Sequence, residues 1–201
     1  QIISKTGKYK RFPVLGFITL AIGIALLSLL KVNTPFWQLA IYSILIGAGV
    51  GMAMQNMVIA LQNAIEMKDI AVATASNTFF RSIGATIGVA VFGAIYANSL
   101  TRSVTSSLAP IAKANPAAVP SPAQIAAMQQ NPNLLFTGQV PPVVQHAVLN
   151  SYTHAFHVVF LTAVPLVLLG FLFALALRET PLRSGAAMET AREEAAGEAF
   201  A

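Results

Sequence analysis

The sequence predicts an all-α membrane protein with four transmembrane helices, and its composition leads to that prediction. The 201 residues are 56% hydrophobic and only 9% charged, with a mean hydropathy of +0.69. Soluble domains carry about 25% charged residues, because their surfaces contact water. Most of this surface must therefore face lipid, in helices that cross a hydrocarbon core of about 30 Å.

The first predicted span covers about residues 12–30, which contain no charge. The apolar region of a signal peptide is shorter, about 7–15 residues, and the following LKVNTP is not a small-residue cleavage site. The second span covers about residues 36–59. Pro35 suits the first turn of its helix, where the missing N–H is not needed, and Asn33 or Thr34 is expected to cap it.

The third predicted span covers about residues 79–100, and its one charge, Arg81, lies close enough to the end to reach the headgroups. The fourth covers about residues 154–177 and tolerates Pro165 in its middle. An earlier start of this last helix is also open, because Pro142 suits a first helical turn.

Residues 101–153 are expected to form a Pro-rich connection outside the membrane, since each proline removes a backbone donor from a helix. Seven prolines lie there: Pro110, Pro116, Pro120, Pro122, Pro132, Pro141 and Pro142. Ser121 followed by Pro122 predicts one short capped helix over 121–130. The connection is therefore expected to be partly ordered.

The Lys and Arg residues predict the orientation, because cytoplasmic loops are enriched in them. One side of the predicted membrane carries nine: Lys5, Lys8, Lys10, Arg11, Lys68, Arg81, Arg178, Arg183 and Arg192. The other side carries three: Lys31, Arg102 and Lys113. We expect a multi-pass protein of the cell membrane with a basic cytoplasmic loop at 1–11, a cytoplasmic tail at 178–201 and 101–153 outside.

The sequence pI of about 9.8 raises the question of nucleic-acid binding, but the basic cluster lies directly against an apolar run. Nucleic-acid binders instead spread Lys and Arg along a face, so we expect no nucleic-acid partner. The sequence has no Cys and no Gly-x-Ser-x-Gly, phosphate loop or paired carboxylates. We expect no enzyme, no catalytic residue, no metal and no cofactor.

Polar residues inside the predicted spans are candidates for function, because they are costly in lipid. Gln55 and Asn56 lie deepest in the second span, and Asn77 and Arg81 are one turn apart at the cytoplasmic end of the third. All four could line a hydrated pathway. Hydrogen bonding between helices and a solvated helix end remain the alternatives.

Two Gly-x-x-x-Gly motifs indicate close helix packing, because glycines one turn apart let backbones approach in lipid. They are Gly47 with Gly51, and Gly84 with Gly88. Ordinary packing within a helix bundle is the favoured interpretation. A sliding interface that repacks during transport is the other.

The segment SKTGKYKRF resembles the basic cytoplasmic loop of the major facilitator superfamily. Lys5, Gly7 and Lys8 stand at its Arg, Gly and Arg positions, and Ser4 replaces its Asp. The resemblance implies that a basic group orients and gates this loop. That group consists of Lys5, Gly7, Lys8, Lys10 and Arg11.

The run GAGVGMAMQNMVIALQNAIEMKDIAVATASNTFFRSIGATIG, with the later LRETPLR, resembles the fourteen-helix multidrug:proton antiporters of the EmrB/QacA type. It implies the last four helices of a major facilitator bundle that works by alternating access. The implied partners are the lipid bilayer, the preceding helices of the same transporter chain, the proton and a small lipophilic or cationic substrate. The alternative is a self-contained four-helix membrane scaffold or assembly subunit without transport activity.

Overall fold

The computed structural model describes residues 11–136 and 140–177, which contain helices and no strand. We number the helices α1 (Arg11–Ser28), α2 (Phe36–Ala64), α3 (Ile70–Ala114), α4 (Pro122–Gln130) and α5 (Pro142–Ala176). Among the described residues, α1, α2, α3 and α5 are long and apolar enough to cross a membrane. The predicted all-α fold with four transmembrane helices is confirmed.

The third and fourth long helices extend further than the sequence patterns indicated. Helix α3 begins at Ile70 and passes through Pro110 to end at Ala114. This proline lies in the last two turns of the helix. It removes one backbone hydrogen bond there, and only a few residues of helix follow it. Helix α5 begins at Pro142, as the earlier-start interpretation predicted. Only residues 115–141 therefore connect the two helices.

The local signals around α4 and α2 gave different results. Ser121 Oγ accepts from the Gln124 N–H at 3.3 Å, and Gln124 Oε1 accepts from the Ser121 N–H at 2.9 Å. This reciprocal capping box starts α4 as predicted. Thr34, one of the two proposed caps of α2, instead accepts from the Lys31 N–H at 2.8 Å. Its hydroxyl closes the turn before the helix, so the cap assignment for Thr34 was wrong.

The chain divides into two compact units, and each long helix contributes to both. Within the described residues, unit A comprises 11–23, 41–87 and 164–177. Unit B comprises 24–40, 88–136 and 140–163. Each unit has its own packing contacts, which position different candidate residues.

The core of unit B lies where α3, α4 and α5 meet. Leu100, Val104 and Leu108 recur every four residues and form one buried face of α3. Their partners are Met128 of α4, Leu135 of the following turn, and Val144, Val148 and Ala155 of α5. Tyr152 Oη also donates to the Met128 carbonyl at 2.7 Å. The predicted partial order of the connection is explained by this core.

Candidate functional site

In unit A, α1 and α2 approach until their backbones touch. A Cβ atom placed on Gly16 would lie 2.8 Å from the Gly49 carbonyl oxygen and 2.8 Å from the Ala53 amide nitrogen. A Cβ on Gly49 would lie 2.6 Å from the Leu20 amide nitrogen. Glycine at both positions allows this close approach. In lipid the hydrophobic effect does not drive helices together, so van der Waals packing of this kind holds them in contact. We call the contact between Gly16, Leu20, Gly49 and Ala53 the α1–α2 seam.

Asn56 lies on the same buried face of α2 as the seam, one turn beyond Ala53. Its side chain is 4% exposed. Nδ2 donates to the Met52 carbonyl at 2.6 Å, whereas the buried Oδ1 has no hydrogen-bond partner among the described residues. Most buried polar atoms are paired, so an unpaired acceptor marks a position that requires a reason. Asn56 is the candidate that the structure singles out.

The other predicted pathway residues have different environments. The side chain of Gln55 is exposed, Asn77 is half-buried and Arg81 is exposed. No hydrogen bond or ion pair within 11–136 and 140–177 joins these side chains to one another or to Asn56. Their role as a pathway stays a prediction.

The four glycines of the predicted packing motifs face open space in the described part of the chain. Apart from the backbone of its own helix, a Cβ on Gly47, Gly51, Gly84 or Gly88 would meet no described atom within 4 Å. The glycine of helix α2 that packs is Gly49, which lies between the two motif glycines. At about 100° per residue, neighbours two positions away point to the other side of a helix. Packing at the four motif glycines stays a prediction, with a partner beyond the described residues.

Helix α3 has little cover from the described residues. In its apolar 18-residue stretch, only 6% of the residues are buried. In unit A, Phe79 and Phe80 form an edge-to-face pair, yet their side chains are 60% and 70% exposed. An apolar surface of this extent requires lipid or further protein against it.

The basic loop predicted at the N-terminus is mostly outside the described residues. The part outside contains Lys5, Gly7, Lys8 and Lys10, whereas Arg11 is the exposed first residue of α1. In the turn between α2 and α3, Lys68 Nζ and Glu66 Oε2 form an ion pair at 2.8 Å between exposed side chains. Such exposed pairs contribute little to stability.

Unit B contains two grooves that the sequence analysis missed. One, of about 520 Å³, lies between residues 30–33 and the face of α5 that carries His154 and His157. His157 Nδ1 contacts the Ser28 carbonyl oxygen. The second groove, of about 950 Å³, lies between α3 and α5. The described residues contain no group of three His, Asp or Glu that could hold a metal.

Comparison with known proteins identifies the family. Over 181 residues, or 90% of this chain, the sequence is 38% identical to an uncharacterized MFS-type transporter of Mycobacterium tuberculosis. This chain belongs to the major facilitator superfamily. Two other relatives are the multidrug transporter protein MdtP of Bacillus subtilis, 28% identical over 99% of the chain, and a tetracycline resistance determinant of Streptomyces rimosus, 24% identical over 98%.

The chain spans only part of each of these relatives: 24% of the Mycobacterium protein, 39% of MdtP and 61% of the tetracycline determinant. No family model matches the chain. No solved structure matches it either. Four membrane-length helices and superfamily relatives together make it a multi-pass membrane protein.

Proposed function

We propose that this chain forms the C-terminal four helices of a proton-coupled multidrug efflux transporter that works by alternating access. The observation that carries the proposal is the match across 99% of the chain to a multidrug transporter protein. The exposed apolar surface of α3 and the open glycines support it, since further helices of a larger bundle would cover them. We place the protein in the cell membrane with both ends of this segment in the cytoplasm.

Asn56 is the residue to which we assign contact with the transport pathway. The α1–α2 seam fixes the backbone around it, and Oδ1 keeps an acceptor available because no described residue donates to it. A substrate, a water molecule or a helix that moves during the cycle would supply the donor. Gln55 is the second pathway residue in this proposal, and Arg81, with Asn77 one turn before it, stabilises the cytoplasmic side of α3.

In the same proposal, the cytoplasmic loop is oriented and gated by its basic group: Lys5, Gly7, Lys8, Lys10 and Arg11.

The proton-carrying acid lies outside this sequence. The only acids before the tail are Glu66 and Asp69, both in the turn between α2 and α3. A proton pathway needs a titratable group inside the membrane, so the coupling acid belongs to the preceding helices of the transporter. No cofactor is required.

The test is transport by the full-length protein in proteoliposomes. A pH gradient is imposed, a fluorescent lipophilic cation is added, and its uptake is recorded together with proton release. We expect cation uptake that a protonophore abolishes. Empty liposomes provide the background.

Two results would contradict the proposal. Cation uptake that persists in the presence of a protonophore would show that transport is not coupled to the proton gradient. A folded, monodisperse protein that moves no cation and no proton would favour the alternative, a membrane scaffold or assembly subunit without transport activity.

A further inference from the structure

The groove between α3 and α5 changes from apolar to polar along its length. Its apolar end is formed by Val91, Ala94 and Ile95 of α3 and by Val158 of α5. The rings of Tyr96 and Phe156, with centroids 5.0 Å apart, join the two helices beside it. All four side chains of the apolar end are hydrocarbon.

The polar end continues along the same stripe of α3. It is formed by Asn98, Ser99, Arg102, Ser103 and Ser106, together with His154 of α5. Spacings of three and four residues keep the whole stripe on one helix face. Hydroxyl, amide, imidazole and guanidinium groups there provide several hydrogen-bond donors around one positive charge.

The length of this stripe matches one leaflet of a bilayer. From Val91 to Ser106 the helix rises about 22 Å, and half of a bilayer with its headgroups is about 20–22 Å. The sequence between Arg81 and Arg102 has no charge, and a helix of that length is about 31 Å long, close to a hydrocarbon core. Val91 falls halfway, so the apolar end lies near the midplane and the polar end among headgroups.

The charge of Arg102 has no acidic partner in the described part of the chain. Between Asp69 and Glu179 the sequence contains no Asp or Glu. The side chain of Arg102 is exposed in the groove. A guanidinium with unpaired donors suits a phosphate, which it can bind in a bidentate manner.

We propose that this groove binds one anionic phospholipid from the leaflet at the Arg102 end. The lipid phosphate contacts Arg102, with hydrogen bonds from Ser103 and His154. One acyl chain lies along Val91, Ala94, Ile95 and Val158. The site is independent of substrate transport and does not rest on the proposed function.

The test is native mass spectrometry of the full-length protein with phosphatidylglycerol or phosphatidylcholine added. Arg102→Gln should weaken retention of phosphatidylglycerol about fivefold, equivalent to about 1 kcal/mol. Lys113→Gln is the matched control: it removes the same charge from the same helix, outside the groove. Ala94→Phe should also reduce retention, because the ring fills the space of the acyl chain. Arg102→Lys keeps the charge and should therefore retain at least part of the phosphatidylglycerol binding. This variant also tests the site if Arg102→Gln fails to fold.

Each opposite result overturns the proposal. Equal retention by Arg102→Gln and the unmodified protein would mean that the guanidinium holds no lipid, or that another segment of the chain fills the groove. Equal losses in Arg102→Gln and Lys113→Gln would indicate unspecific attraction. Unchanged retention in Ala94→Phe, or displacement by inorganic phosphate at the lipid's concentration, would reveal a free-anion site instead of a lipid site.

Discussion

The main chains of Gly16 and Gly49 are in direct contact: a methyl group on Gly49 would lie 2.8 Å from the Gly16 carbonyl oxygen. The same methyl group would lie 2.6 Å from the Leu20 amide nitrogen. Both obstacles are backbone atoms, so a side-chain rotation cannot relieve either contact. The two helices would have to separate.

Gly49→Ala is therefore expected to destabilise the protein by about 1–3 kcal/mol, the usual cost of overpacking. The measurement is the apparent Tm of the purified full-length protein. Gly47→Ala is the comparison variant: a methyl group there meets no described residue within 4 Å, so a lower Tm in this variant would report a contact with the other helices of the full-length protein. An unchanged Tm in Gly49→Ala would show that the seam is looser than the structure indicates.

Asn56→Leu separates a structural role from a transport role. Leucine removes the unpaired Oδ1, whose desolvation costs about 1–3 kcal/mol, so we expect stability to be kept or increased. Transport should fall if Asn56 contacts the pathway, and cation uptake in proteoliposomes measures it. Gln55→Leu, at the exposed neighbouring position, tests the second pathway residue in the same assay. Normal uptake by both variants would assign these residues to structure alone.

Leu135→Ala tests the core of unit B. Leu135 is 1% exposed, and removal of a buried leucine side chain costs about 2–5 kcal/mol. We expect faster hydrogen exchange in residues 115–136. Phe136→Ala is the matched control, since the adjacent ring is 64% exposed and its loss should change stability by less than about 0.5 kcal/mol. Equal exchange in the two variants would mean that the connection does not depend on this core.

Cysteine labelling tests the proposed orientation, because this sequence contains no Cys of its own. Asn131→Cys, after α4, should react with a membrane-impermeant maleimide in intact cells. Lys68→Cys, in the turn between α2 and α3, should react only after permeabilisation. Both positions are exposed, and other cysteines of the full-length chain are first replaced. The reverse labelling pattern would invert the topology.

Much of the fold was predictable because it depends on local properties of the chain. The charge-free runs predicted the four spans, and Ser121 with Pro122 predicted α4. The same reasoning misjudged the end of α3, since it took Pro110 as part of the connection. A proline near a helix end removes one hydrogen bond, and contacts of Leu108 and its neighbours with α4 and α5 offset that loss.

The candidate site was less predictable because it depends on how helices are rotated about their axes. The sequence by itself determined the spans, the charge distribution and the absence of acids from Ile70 to Arg178. Only the tertiary structure decided that Gly16 and Gly49 pack while Gly47 and Gly51 face open space. It also decided that Arg102 and His154 border one groove. Hydropathy and capping act within a few residues, whereas the face that a helix buries is set by the neighbour it packs against.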